Sequence, residues 1–159
     1  MQKLAILVTR LSSWVLSKMG RGGSMPGRLG IKIAPDCLNH LKFGGPVILV
    51  TGTNGKTSTA NMVSDLMEEA GYKVVTNRKG DNLRVGITST LLSHCSLSGR
   101  VKADAAVLEV DELNMKYIVP ALPVTAIVVN NFFRDQLDRA GEMERIIDTI
   151  ESVLPDYQG

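Results

Sequence analysis

No stretch of this 159-residue chain reaches the roughly 18 consecutive apolar residues that a membrane-crossing helix needs. Cysteine is scarce. Only Cys37 and Cys95 occur, far apart and at no zinc-ligand spacing, so two reduced thiols in a cytoplasmic protein are expected rather than a disulfide. Internal repeats, heptads and low-complexity tracts are missing, which leaves no case for a solenoid or a coiled coil. Acid is missing from the front of the chain. Before Phe43 the single acid Asp36 stands against Lys3, Arg10, Lys18, Arg21, Arg28, Lys32 and Lys42, so the rest of the chain is net acidic behind an overall charge of +2.

What is present suits one soluble domain with a real core: 44% hydrophobic and 21% charged residues are ordinary globular values. The basic front offers a surface to anions, lipid headgroups or nucleic acid. Within it, Leu4, Leu7, Val8, Leu11, Trp14 and Val15 recur at helical spacing, with Arg10, Ser13 and Ser17 largely on the other side. Arg10 interrupts the apolar run and no A-x-A site follows, so a signal peptide is not expected here. Its apolar face is expected to pack on the rest of the protein, with contact to a membrane as the alternative. The glycine-rich "GRGGSMPGRLG" that follows reads as a connection poor in regular structure.

From Pro46 the pattern becomes regular. "PVILV" is a buried strand, and "KTSTANMVSDLMEEAG" a helix with Met62, Val63, Leu66 and Met67 at its period, stopping at Gly71. "KVVT" is a short strand and "NRKGDNLRVG" a polar loop. "ADAAVLEV" and "VTAIVVN" are buried strands, separated by a short helix in "ELNMKYIVPAL" that ends near Pro120. "GEMERIIDTIESVL" is an amphipathic helix with Met143, Ile146, Ile147, Ile150 and Val153 on one face. Strands alternating with helices, and apolar nearly throughout, predict an α/β fold: a mostly parallel sheet covered by helices on both sides, three layers in all. Ligands of such folds sit at the carboxyl ends of the strands.

Four strand ends carry unusual polar sequences. "TGTNGKTST" lies between a strand and a helix, the context that makes a phosphate loop credible, although Val50 stands where the common pattern has glycine. Its backbone N–H groups and the helix amino terminus form a positive concavity. Gly52 and Gly55 allow turns that a Cβ resists. Lys56 would reach the β- and γ-phosphates and Thr57 would ligate Mg²⁺; Thr53, Asn54 and Ser58 complete the candidate nucleotide-binding loop. In "LEVDE", Glu109 is either a metal ligand or a solvated strand-end acid, and Asp111 and Glu112 are candidate helix caps. In "NRKGDNLRVG", Asn77, Gly80, Asn82 and Gly86 read as turn residues or ligands. In "NNFFRDQLDRAGE", Phe132 and Phe133 should bury and hold Arg134 and Asp135 near the sheet end, beside Gln136, Asp138 and Arg139.

These motifs, in this order, resemble the central ATP-binding domain of the Mur ligase superfamily, whose loop T-G-T-x-G-K-[ST] lacks the leading glycine. "GGSMPG", "TGTNGKT", "NRKGDNL", "LEVDE" and "FRDQLDR-x-GE" are similar to the MurT-type subfamily, the ligase subunits of lipid II isoglutaminyl synthases, from about Arg21 to Leu154. The resemblance implies a P-loop NTPase-like central domain over 43–159, incomplete at its carboxyl end, behind a basic helix and glycine-rich connection over 1–42. It implies an ATP-dependent, amide-forming ligase of peptidoglycan biosynthesis that activates the D-isoglutamate carboxyl of lipid II. Ammonia would come from a glutamine amidotransferase partner of the GatD type. Lys56 and Glu109 are the implied catalytic residues; Thr57 and Glu109 would hold Mg²⁺, and Asn82 would lie near the phosphates of ATP. No nucleic acid partner is implied. The implied location is cytoplasmic, at the inner face of the membrane if the first helix touches it.

The departures are specific. Full-length relatives carry a four-cysteine zinc ribbon and a carboxyl-terminal domain, and neither is identifiable in this chain. Gln136 replaces the histidine of a D-H-x-D motif, and no lysine follows Lys116, which speaks against a second metal site. Ala140 stands where the subfamily has an aromatic residue. Folylpolyglutamate and cyanophycin synthetases share the loop and are the alternative ligases. A catalytically inactive, truncated nucleotide-binding fragment is the alternative of another class.

Overall fold

The computed structural model describes residues 1–20, 23–78, 81–131 and 140–157. Along the chain run α1 (Gln2–Lys18), α2 (Met25–Ile33), β1 (Val47–Thr51), α3 (Lys56–Glu69), β2 (Val74–Thr76), α4 (Arg84–Ser93), β3 (Ala105–Glu109), α5 (Met115–Ile118), β4 (Ala126–Val129) and α6 (Ala140–Val153). The strands form one four-stranded sheet in the order β2-β3-β1-β4, with every pairing parallel. This is the α/β architecture that the alternation of strands and helices predicts.

The period-2 geometry of a strand sorts its side chains into two cores. Val47 and Leu49 of β1 and Ala106 and Leu108 of β3 enter the larger core, with Ile6, Ile87, Leu91 and Ile118 from α1, α4 and α5. Val50 and Val107 face the other way, toward Ala60, Val63 and Met67 of α3. β3 is buried along its whole length, as burial on both faces demands. β4 is not a buried strand: it lies at one end of the strand order, is only half-buried, and leaves Val129 exposed.

Several local expectations change. Met25–Ile33 inside the glycine-rich stretch is a helix, with Ser24 at its N-cap and Pro26 in its first turn. Its glycines serve close approach. A Cβ on Gly27 would lie 1.8 Å from the Val85 carbonyl oxygen of α4, and one on Gly30 would lie 2.6 Å from the Thr9 hydroxyl of α1. Those two glycines let three helices interlock, and the Thr9 hydroxyl donates to the Pro26 carbonyl at 3.2 Å. α1 itself is turned around from expectation: Ala5, Ile6 and Thr9 are buried, whereas Leu4, Leu7, Leu11, Trp14 and Val15 are exposed.

The polar loop beginning at Asn77 already gives way to α4 at Arg84. On α3, Met62 and Leu66 point to solvent, and the helix packs through Ala60, Val63, Ser64 and Met67. The single helix expected in "ELNMKYIVPAL" is a short α5 between two 3-10 turns, Glu112–Asn114 and Val119–Ala121. On α6, Ile150 and Val153 are buried and Ile147 is exposed; the side chain of Met143 lies outside the described residues. Cys37 and Cys95 are free and buried, and burial pushes the Cys95 thiol up to about 11.

The interlock of α1, α2 and α4 yields a direct test. Gly27→Ala forces a methyl group into the Val85 backbone, which does not move cheaply, and should cost about 1–3 kcal/mol or more of unfolding free energy. Urea denaturation measures this, and an unchanged midpoint would contradict the close helix packing.

Candidate functional site

The site begins with a register. β1 and β3 run parallel with Val50 opposite Glu109, so both strands end together at one edge of the sheet. The chain leaves β1 through α3 on one face, and leaves β3 through the Glu112–Asn114 turn and α5 on the other. Neighbouring strands whose connections depart to opposite faces open a crevice between them, the usual ligand position in such sheets.

The loop between β1 and α3 fills one side of that crevice. Gly52 has φ +122°, and a Cβ there would meet the Asn131 backbone at 2.9 Å, so both conformation and space select glycine. Gly55 is the N-cap of α3 with φ +79°, and no side chain caps the helix. The first-turn N–H groups of α3 therefore lack both intrahelical acceptors and a side-chain cap, and they carry the positive end of the helix dipole. The end of β4 braces the loop. The Thr53 N–H donates to the Asn131 carbonyl at 2.8 Å, the Asn54 N–H to Asn131 Oδ1 at 3.1 Å, and Asn130 Nδ2 to Thr59 Oγ1 at 2.9 Å.

Glu109 stands on the other side, 3% exposed. A carboxylate buried this deeply costs several kcal/mol unless partners offset it. Here Thr57 Oγ1 donates to Glu109 Oε2 at 2.7 Å and Asn82 Nδ2 to Oε1 at 2.8 Å. Asn77, itself buried, fixes the backbone behind the carboxylate. Its Nδ2 donates to the Glu109 carbonyl at 2.8 Å, and its Oδ1 accepts from the Glu109 N–H at 2.8 Å. The same amide donates to the Asp81 carbonyl at 3.1 Å, which ties the Asn82 loop to β3. Asn77 is thus neither a simple turn residue nor placed as a ligand; it replaces a stretch of sheet ladder beyond the end of β2.

Lys56 closes the floor. Its ammonium donates to the Gly52 carbonyl and to the Thr53 carbonyl at 3.2 Å, and lies 3.3 Å from Glu112 Oε1, with both side chains largely buried. Of the two candidate caps, Asp111 does cap the following turn, accepting from the Leu113 N–H at 3.1 Å. Glu112 instead holds Lys56. Spacing alone does not reveal that contact, because the pair is separated by 56 residues.

The cavity between these parts has a volume of about 440 Å³ and is lined by Thr53, Asn54, Gly55, Lys56, Thr57, Ser58, Asn82 and Glu109. Of the expected site residues only Gly52 does not line it. Among the described residues, larger cavities include one of about 670 Å³ beside α1, β2 and α4, and one of about 770 Å³ around Leu122 and Pro123. Neither joins a helix amino terminus to a lysine and a buried acid, so size does not decide here; the donor chemistry does. Among the described residues no three His, Cys, Asp or Glu side chains gather as a cage for a metal. A threonine hydroxyl and one carboxylate suit Mg²⁺, which takes a few protein oxygens and completes its shell with water and phosphate. Lys79, Gly80 and the stretch 132–139, with Phe132, Phe133, Arg134, Asp135, Gln136, Asp138 and Arg139, lie outside the described residues.

The family model of the Mur ligase middle domain matches residues 50–154. The chain is 36% identical over 154 residues to "Lipid II isoglutaminyl synthase (glutamine-hydrolyzing) subunit MurT" of Streptococcus pneumoniae, covering 94% of this chain and 34% of that protein. It is 30% identical over 155 residues to the protein of the same name from Staphylococcus aureus strain COL, covering 96% and 35%. A UDP-N-acetylmuramoylalanine–D-glutamate ligase of Nitrobacter winogradskyi is 34% identical over 113 residues, 71% of this chain and 22% of that protein. The chain spans about a third of the length of the first two relatives.

Asn77→Ala isolates the bracket behind Glu109. It strands a buried N–H and a buried carbonyl, each costing about 1–3 kcal/mol, so unfolding free energy should fall by at least about 2 kcal/mol. A loss below about 0.5 kcal/mol in urea denaturation would mean that other contacts hold β3 in place.

Proposed function

This chain belongs to the Mur ligase family through its middle domain, and from that premise we propose that it is the ATP–Mg²⁺-binding part of an amide-forming ligase of peptidoglycan synthesis. The single observation that carries the reading is the Thr57–Glu109 contact of 2.7 Å at the amino terminus of α3. It sets a hydroxyl and a buried carboxylate side by side where a helix offers N–H groups to phosphate.

The division of labour follows from the residues. Gly52 to Ser58 and the amino terminus of α3 would cradle the triphosphate, the role we assign to Gly52, Thr53, Asn54, Gly55, Lys56, Thr57 and Ser58. Lys56 would exchange Glu112 for the β- and γ-phosphate oxygens and neutralise charge on the group being transferred. Thr57 and Glu109 would hold the metal, with Asn82 keeping the carboxylate aimed. Bound there, Mg²⁺ supplies charge neutralisation on the phosphates.

A carboxylate is a poor electrophile. Transfer of the γ-phosphoryl group to its oxygen gives an acyl phosphate and ADP; an amine then attacks the carbonyl carbon and inorganic phosphate leaves. The names of the two MurT relatives point to lipid II as acceptor and glutamine as nitrogen source. The family resemblance makes the acceptor group the D-isoglutamate carboxyl and the ammonia donor a GatD-type partner. The work would take place in the cytoplasm. We assign residues 43–159 to the ATP-binding domain and 1–42 to the segment that leads into it.

Calorimetry with ATP and Mg²⁺ tests the site. Loss of the Lys56 ammonium removes charge-assisted contacts of about 1.5–3 kcal/mol, so Lys56→Ala should weaken binding by about tenfold or more. Combining it with Glu112→Gln removes the stranded carboxylate and separates binding from folding. Equal affinity in wild type and variants would sink the assignment. With the full-length protein and its partner, glutamine-dependent amidation of lipid II is expected; glutamylation of folate instead would move the chain to the alternative ligases.

A further inference from the structure

The outward face of α1 has no role in the nucleotide site. Leu4, Leu7, Leu11 and Trp14 are 49%, 54%, 60% and 61% exposed, and they recur at i, i+3, i+7 and i+10, one side of a helix. The opposite side, with Ala5, Ile6 and Thr9, carries the contact with α2 and α4. The helix therefore buries Ala5, Ile6 and Thr9 and leaves three leucines and its tryptophan outward, a larger apolar side in solvent than in the core. Such a contiguous apolar stripe marks an interaction surface.

The charge around the stripe identifies the occupant. Lys3, Arg10 and Lys18 on α1 and Arg28 and Lys32 on α2 are all exposed, and no acid occurs before Asp36. Among the described residues no salt bridge engages any of the five. A helix with aliphatic side chains and a tryptophan on one side, and lysine and arginine beside them, matches an anionic lipid surface. The apolar side enters the acyl boundary, the tryptophan takes the interface, and the basic heads stay with the phosphates. α1 is not long and apolar enough to cross a membrane, so any contact with a bilayer would be in its plane.

We propose that α1 is an in-plane membrane anchor that docks this protein on anionic lipid through Leu4, Leu7, Leu11 and Trp14, with Lys3, Arg10 and Lys18 facing the headgroups. The proposal stands apart from the nucleotide site and survives the failure of that reading.

The probe is Trp14, the one tryptophan of this sequence, in the full natural chain, with Trp14→Phe subtracting the signal of any other tryptophan. Vesicles of phosphatidylglycerol and phosphatidylcholine in equal parts should bind the protein at low ionic strength, blue-shift Trp14 emission, and protect it from iodide and acrylamide. High salt should reverse this. Leu7→Ser with Leu11→Ser should weaken binding about tenfold or more, and so should Lys3→Gln with Arg10→Gln. These four side chains are exposed, so thermal melting should not change.

Three results would overturn the proposal. Trp14 already shielded from quencher without vesicles would mean that the rest of the protein or a second copy covers the face. Binding that is absent, or no stronger than to phosphatidylcholine alone, would remove the lipid. Binding that persists undiminished in both double variants would place the contact elsewhere.

Discussion

The parallel pairing of β1 with β3, with Val50 beside Glu109, is the constraint on which the site depends. A shift of one residue would turn every side chain of β3 to the opposite face and carry Glu109 away from Thr57. The register is held twice: by apolar side chains that alternate between two cores, and by the Asn77 amide that completes the ladder at the Glu109 backbone. Burial of the carboxylate follows from the same pairing. Its desolvation is offset by two side-chain donors, Thr57 and Asn82, which come from the α3 and α4 sides of the crevice. The contacts that stabilise the sheet end are therefore the ones that aim the acid.

Much of this was legible in the sequence because it is local. An apolar run followed by Thr-Gly-Thr-Asn-Gly-Lys-Thr specifies strand, left-handed turn and helix start within a dozen residues, and Glu109 shows as an acid inside an apolar strand. What stayed hidden was settled by contacts distant along the chain. Glu112 reads as a cap, like its neighbour Asp111, until the fold brings Lys56 to it. Asn77 reads as a turn residue or a ligand because its partner on β3, the Glu109 backbone, lies 32 residues away. Residues 132–139, which contribute to the resemblance, lie outside the described residues.

The front of the chain misled for a different reason. Glycine lowers helix propensity, so "GRGGSMPGRLG" read as a connection. Gly27 and Gly30 are helical because close contact with α4 and α1 outweighs that local preference. Likewise, periodicity locates the apolar stripe of α1 without saying which way it faces. The side with Ala5, Ile6 and Thr9 packs against the close-fitting glycines of α2, and the side with the leucines and Trp14 was left outward.

The claim at the centre is that Thr57 and Glu109 jointly hold a divalent ion against a bound nucleotide. Electron paramagnetic resonance of Mn²⁺, standing in for Mg²⁺, tests it most directly when the ion is titrated into the protein with a non-hydrolysable ATP analogue. The account predicts a protein-bound Mn²⁺ signal that depends on the nucleotide and is weakened about tenfold or more by either Thr57→Val or Glu109→Gln. Mn²⁺ affinity unchanged in both variants would contradict it.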